Sequence, residues 1–252
     1  ITHQSMTTIG ATDTRSIKLD KFSISDYKLD FGLQYTYKLN KKNTINIGAV
    51  YTLGRTLHGD AYKYHQTGAE SNGSIYVQSQ TGDTIPNPFK MPHTFGIGLT
   101  YVYDNRLTIG VDYTLQKWNT ADLAWSKFNK ESVEMNSRTK IAFGAEFVPS
   151  YISHNYLKRI RYRMGAYYSS PYNKVSYTSP DTGTTSFQDG AREYGVSIGF
   201  GLPMFQSKSM LNISGQYIKV SPKFKGLMEE NYLRINIGLT FNERWFMKWK
   251  VD

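Results

Sequence analysis

Five histidines are the first place to look for chemistry in this chain: His3, His58, His65, His93 and His154. No two stand at a spacing that would bring two imidazoles to one metal ion, and none sits in a motif with a nearby serine and aspartate. There is no cysteine, which excludes thiolate catalysis, a cysteine metal site and a disulfide framework. Asn72-Gly73-Ser74 fits a glycosylation pattern, but in a loop of small polar residues it reads as loop composition. No set of residues supports an enzyme, and neither a cofactor nor a metal is expected.

The charged and amide side chains show a different regularity. Lys28, Asp30, Gln34, Arg106, Asp112 and Lys140 all fall on the polar side of alternating segments. So do Glu146, Arg161, Arg163, Glu193 and Arg234. If these segments are strands closed into a barrel, the residues line the lumen, either as the wall of a polar conduit or as ion pairs that fill it. Nine glycines, from Gly32 to Gly199, share that parity. They leave room for a ligand or plug, or they let the strands bend in a closed wall. A turn-rich stretch, Thr81 to Pro88, is expected to be a loop at the barrel mouth. Phe89 and Met91 beside it could touch a hydrophobic ligand, or pack where the loop meets the next strand.

The elements that position these residues follow from period two. From Tyr27 to Leu39 every odd residue is apolar or aromatic and every even one is polar or glycine. That pattern puts one class on each face of a strand, whereas a helix would mix them around its axis. The pattern recurs at residues 45–53, 95–103, 107–115, 141–147, 162–168, 194–202, 211–217 and 233–241, which makes about nine strands. Most are near the length of a tilted bilayer-crossing strand.

The connections sort by length. Residues 40–43, 104–105 and 203–208 are short and 148–159 is intermediate. Residues 56–92, 118–137, 169–190 and 219–230 are long and polar. Alternation of this kind is a mark of outer-membrane barrels, with the short turns periplasmic. The strand near 27–39 and the strand near 232–241 then run the same way, so an antiparallel barrel lacks one strand between them. That strand lies either within residues 1–25 or in chain outside this sequence. A secreted protein loses its signal, so an opening at Ile1 and a longer N-terminal part are both expected. The segment Arg244 to Asp252 reads as an interfacial tail anchored by Trp245 and Trp249, or as one further strand.

Composition agrees with this organisation. Hydrophobic residues make up 39% of 252, mean hydropathy is −0.49, and no run of about 18 apolar residues exists for a spanning helix. The 20 tyrosines suit positions half apolar and half wet. The formal net charge of +10 is spread along the chain without a stripe, which argues against nucleic acid and fits lipopolysaccharide or lipid phosphates.

The stretch Met91 to Tyr101, then Leu107 to Tyr113, then Lys117-Trp118-Asn119 resembles the long-chain fatty acid transporter (FadL/TodX-type) outer-membrane proteins. Asn242 to Lys248 looks like the tail of such proteins in Bacteroidetes-type bacteria. The resemblance implies a 14-stranded barrel with an N-terminal hatch that carries hydrophobic small molecules, of which this chain would be the C-terminal part. The expectation is therefore an all-β protein: one transmembrane antiparallel β-barrel domain over 1–252, with nine or ten strands here. It would lie in the bacterial outer membrane and transport fatty-acid-like ligands. The alternative is a non-transporting barrel that serves as a subunit or docking platform, with a protein partner in a secretion or uptake assembly.

Overall fold

The computed structural model describes residues 2–8, 14–71, 74–121, 134–178, 184–204, 209–222 and 228–241. In chain order the strands begin with β1 (Thr2–Thr8), β2 (Thr14–Ile24), β3 (Asp30–Lys38), β4 (Asn43–Thr52), β5 (Arg55–Thr56) and β6 (Gly59–Ser71). Next come β7 (Ser74–Pro86), β8 (Lys90–Met91), β9 (Thr94–Tyr103), β10 (Leu107–Gln116) and β11 (Arg138–Phe147). The last are β12 (Arg161–Ser169), β13 (Lys174–Thr178), β14 (Thr185–Asp189), β15 (Ala191–Pro203), β16 (Met210–Pro222) and β17 (Glu230–Thr240). One four-residue helix, α1 (Tyr156–Arg159), precedes β12. No described helix is long and apolar enough to cross a membrane, which says nothing about strands.

Nine strands form one antiparallel sheet in the order β17-β16-β15-β12-β11-β10-β9-β4-β3. Each alternating segment read from the sequence is one of these strands. Its hairpins are built locally. Asn40 Oδ1 accepts from the backbone N–H groups of Lys42 and Asn43, both at 2.9 Å, and so turns β3 into β4. Asp104 and Asn105 adopt positive φ values of 51° and 54°, which these short polar side chains tolerate, and they turn β9 into β10. The short connections β3–β4, β9–β10, β11–β12 and β15–β16 share one end of the sheet, and the longer ones share the other.

Several expectations for the long connections are corrected. Residues 56–92 do not form a loop: β6 and β7 make a long hairpin that pairs with β2 and β1 in a second sheet of order β1-β2-β6-β7. The turn-rich stretch from Thr81 to Pro86 belongs to β7, because Thr81 and Asp83 complete ladder pairs with His65 and Lys63. Backbone pairing outweighs the local turn preference of Gly82-Asp83 there. Residues 169–190 contain the hairpin β13–β14. Strands β16 and β17 extend toward each other, so their connection is only 223–229 and not 219–230.

The main sheet is a single layer. The described chain buries few hydrophobic side chains: Ala61 and Ile85 in the second sheet, Val148 and Ile160 in the connection between β11 and β12, and Ile218 in β16. The apolar face, made of odd-numbered residues on seven strands and of even-numbered ones on β12 and β15, stays open. Leu33 is 75% exposed, and Phe31, Ile97, Leu99, Val111, Ile198, Ile235 and Ile237 are exposed with it. Ile109 is partly covered. A soluble sandwich would bury this face against a second sheet about 10 Å away, and none of the described strands covers it. Tyr37 and Tyr101 fall on one row of the ladder through Ile45, with Tyr35 one step above and Tyr103 one below. They form a band beside the short turns in which Tyr35, Tyr37 and Tyr103 are exposed and Tyr101 is half-buried.

Closure is not seen among the described residues. The outer edges of β3 and β17 pair with nothing there, and these two strands run in the same direction. They therefore make no antiparallel pair, as strand parity required. The candidate closing strand within residues 1–25 is excluded, because β2 pairs with β6 from Thr14↔Ala69 to Ile24↔Gly59. The tail 242–252 lies outside the described residues.

The exposed apolar face, odd-numbered on β9, gives a direct test. Leu99→Arg, at mid-strand on that face, should weaken folding into lipid bilayers by roughly 2–4 kcal/mol. Thr100→Arg, one residue on and facing the other way, should cost much less. Refolding titrations in lipid vesicles measure both, and equal costs would mean that the apolar face does not meet lipid.

Candidate functional site

The opposite face of the sheet carries the polar residues, on even-numbered positions of most strands and on odd-numbered positions of β12 and β15. The register brings several of them together. Glu146 pairs directly with Arg163 across β11 and β12. Its carboxylate accepts from Arg161 at 3.0 Å and from Arg163 at 2.6 Å. Arg163 also donates to Asn212 at 2.8 Å, which ties β12 to β16. One carboxylate between two guanidiniums fixes three strands near the short-turn end.

A second cluster lies toward the long-loop end. Tyr167 donates to the Glu193 carboxylate. Arg138 stands 3.6 Å from the same carboxylate and donates to Ser169 at 2.7 Å. The Lys140 ammonium sits 4.6 Å from the Tyr167 ring centroid. Gly195 is directly paired with Tyr167, and the tyrosine ring occupies the space where a side chain would stand. Gly98 likewise makes room for the carboxylate of Asp112 opposite. Gly110 and Gly144, paired in register, meet no such crowding. Some of these glycines thus seat a neighbouring side chain, and others leave the face low.

The remaining sequence candidates are scattered. Lys28 pairs with Asp30 at 3.0 Å at the exposed start of β3. Gln34 lies opposite Gly48. Arg106 is in the β9–β10 turn, where it donates to the Pro149 carbonyl. Arg234 lies beside Gln216 on β17. Phe89 packs at 5.5 Å against Phe22 with the rings tilted by 48°, where the β7–β8 segment meets β2. Met91 lines a cavity of about 150 Å³ with Tyr27, Leu53, Arg55 and Leu57, small against the few hundred cubic ångströms of a typical ligand pocket.

Sequence reading missed Tyr167 and Arg138, although a tyrosine facing Gly195 across a ladder is a legible signal. It also missed Asp26, which joins the second sheet to the main one. The Asp26 side chain is only 6% exposed. It accepts from the His58 backbone N–H at 2.9 Å, the Tyr27 N–H at 2.7 Å and the His58 ring at 3.1 Å, with Arg55 at 3.3 Å. The His58 N–H is the largest influence, and these donors together outweigh desolvation and hold the carboxyl pKa down to about 2. Arg55 also covers the Tyr27 ring at 4.0 Å. Asp26 and His58 lie too far apart in sequence for any spacing rule to pair them.

What this arrangement offers is a wall: one apolar face, one ion-paired polar face, and a separate sheet held at its rim. Among the described residues no group of three or more histidine and carboxylate side chains could hold a metal ion. The fold defines an all-β protein built on a nine-stranded antiparallel sheet, apolar on one face and ion-paired on the other. The chain matches the BamG family over residues 1–252, and it belongs to that family. No curated protein and no solved structure matches it. The family match overturns the resemblance to the FadL/TodX-type transporters. Gly-alternating strands such as Phe95–Tyr101 and Leu107–Tyr113 answer to the bending and packing demands of strand walls in general, so they do not separate one barrel family from another. The 14-stranded hatch-plugged architecture drawn from that resemblance falls with it.

Two variants probe the site. Glu146→Gln leaves two guanidiniums facing each other and should cost roughly 1–2 kcal/mol in denaturant midpoint analysis. A neutral result would mean that the cluster contributes no stability. For Asp26 the lowered pKa means that its contribution is complete above about pH 4 and is lost as pH falls toward about 2. Asp26→Asn should raise hydrogen exchange at the His58 amide at pH 6, and the two proteins should converge in acid. Identical exchange at pH 6 would remove Asp26 as the joint.

Proposed function

We propose that this chain is an outer-membrane β-barrel wall that serves as a non-enzymatic subunit of the outer-membrane assembly (the Bam complex) from which its family takes its name. The observation that carries the reading is the family match over the whole chain. The geometry supports it in two ways. The exposed apolar face suits lipid and lipopolysaccharide. The ion pairs Glu146–Arg161–Arg163 and Glu193–Arg138 occupy the polar face without forming a catalytic constellation. A passive subunit needs no cofactor.

The transport reading rested on the FadL/TodX resemblance and is withdrawn with it. A protein partner in an outer-membrane assembly takes the place of the hydrophobic ligand.

The test is isolation of the tagged protein from outer membranes in mild detergent, together with its depletion in cells. Stoichiometric recovery with the assembly machinery, and falling levels of other barrel proteins on depletion, are expected. A free monomer whose depletion leaves those levels unchanged would overturn the proposal.

A further inference from the structure

The net charge of +10 is not evenly neutralised. At the long-loop end cations meet carboxylates: Lys28 with Asp30, Arg55 with Asp26, Lys174 with Glu134, and Lys219 with Glu229. At the short-turn end this matching stops. Among the described residues Lys41, Lys42, Arg106, Lys158 and Arg159 make no ion pair, and the carboxylates nearby in sequence are Asp104 and Glu146, the latter already shared by two arginines.

The same end carries the longest of the short-side connections, between β11 and β12. Residues 148–160 are pinned by backbone bonds from Val148 to Arg106 at 2.7 Å and from Ser150 to Lys158 at 2.8 Å. Tyr151 donates to the Asn105 carbonyl, and Tyr162 donates to the Leu157 carbonyl at 3.0 Å. Asn155 caps α1 by accepting from the Leu157 N–H at 3.0 Å. Val148 and Ile160 are buried at the loop's two feet. Yet this well-held loop leaves Ile152 92% exposed and Leu157 62% exposed. A pre-organised loop presenting two bare aliphatic side chains beside unpaired cations has the make-up of an interface patch: an apolar centre with a charged rim.

We propose that the short-turn end is the docking face for an acidic surface of a protein partner. Ile152 and Leu157 seat in an apolar dimple of that partner, and Lys41, Lys42, Lys158 and Arg159 supply the positive rim. The inference rests on the assembly-subunit reading and deepens it by naming the face and the partner's chemistry. Charge complementarity selects an acidic partner. Position selects a protein over the surrounding lipid. The tyrosine band ends the apolar face above these residues, Lys41, Lys42 and Arg106 sit at turn tips, and Arg161 and Arg163 lie on the polar face. Lys41, Lys42, Lys158 and Arg159 thus stand beyond the strand ends, past the band that closes the apolar face.

A photo-crosslinking residue placed at 152, at 157 and, as a control on the second sheet, at Thr81 tests this in cells making the full chain. The tagged protein is isolated with the assembly and the joined peptides are read by mass spectrometry. Positions 152 and 157 should join one protein subunit at a segment rich in aspartate and glutamate. The paired changes Lys158→Glu and Arg159→Glu should lower that yield by about tenfold or more. Charge reversal in the joined segment should restore it. Heat-modifiable gel migration confirms that each variant is folded in the membrane. Crosslinks to lipid or lipopolysaccharide alone, to many unrelated proteins, or insensitive to charge reversal overturn the inference. If the chain co-isolates with the assembly but only position 81 joins a partner, the docking face is wrong and the assembly reading stands. If the chain does not co-isolate at all, the assembly reading itself fails.

Discussion

A one-layer sheet has no interior, and the rest of this structure follows from what must cover its apolar face. In the nine-stranded sheet the side chains of the apolar face, Leu33, Ile97, Leu99, Ile198 and Ile237 among them, stand open. Burial of apolar surface contributes roughly 25 cal/mol per Å², and within its own described chain this protein forgoes that gain on most of its large aliphatic residues. Such a face is stable only where the surroundings are themselves apolar. The backbone obeys the same demand: every inner strand has both edges hydrogen-bonded, as a hydrocarbon environment requires.

With stability on one face assigned to the environment, the other face is left to hold the strands to one another. Glu146 bridges β11 to β12, and Arg163 carries the link to β16. Tyr167, Glu193 and Arg138 join β11, β12 and β15 in the same manner. These are partly exposed pairs, modest one at a time. Their value is positional, because each spans strands far apart in sequence and each is seated by a glycine or a small residue opposite.

Much of this was legible in the sequence, and the parts that were not have a common cause. Period two from Tyr27 to Leu39 and its repeats located all nine strands of the main sheet, because alternation is a local property. The same-direction edges β3 and β17 followed from counting turns. What escaped was long-range. Nothing in residues 59–86 announced that they would pair with β2, since Gly68, Gly82 and Asp83 read as turn formers until a partner strand outweighs them. The polar-face residues were placed on the correct parity, but which of them meet depends on register, so the Glu146 trio and the Tyr167 cluster could not be told apart in advance. The family assignment failed because Gly-alternating strands record the needs of a wall and not of a cargo.

The joint at Asp26 has a mechanical consequence. Three chain segments join the main sheet to the second one: the stretch before β3, the stretch after β4 and the stretch between β7 and β9. Asp26 sits in the first, Arg55 and His58 in the second, and one carboxylate draws these two together. A side branch attached at three points, two of them held by a stiff clasp, behaves as a lever and not as a tether. Force applied at the far end of the β6–β7 hairpin would arrive as torque on the first two strands of the wall.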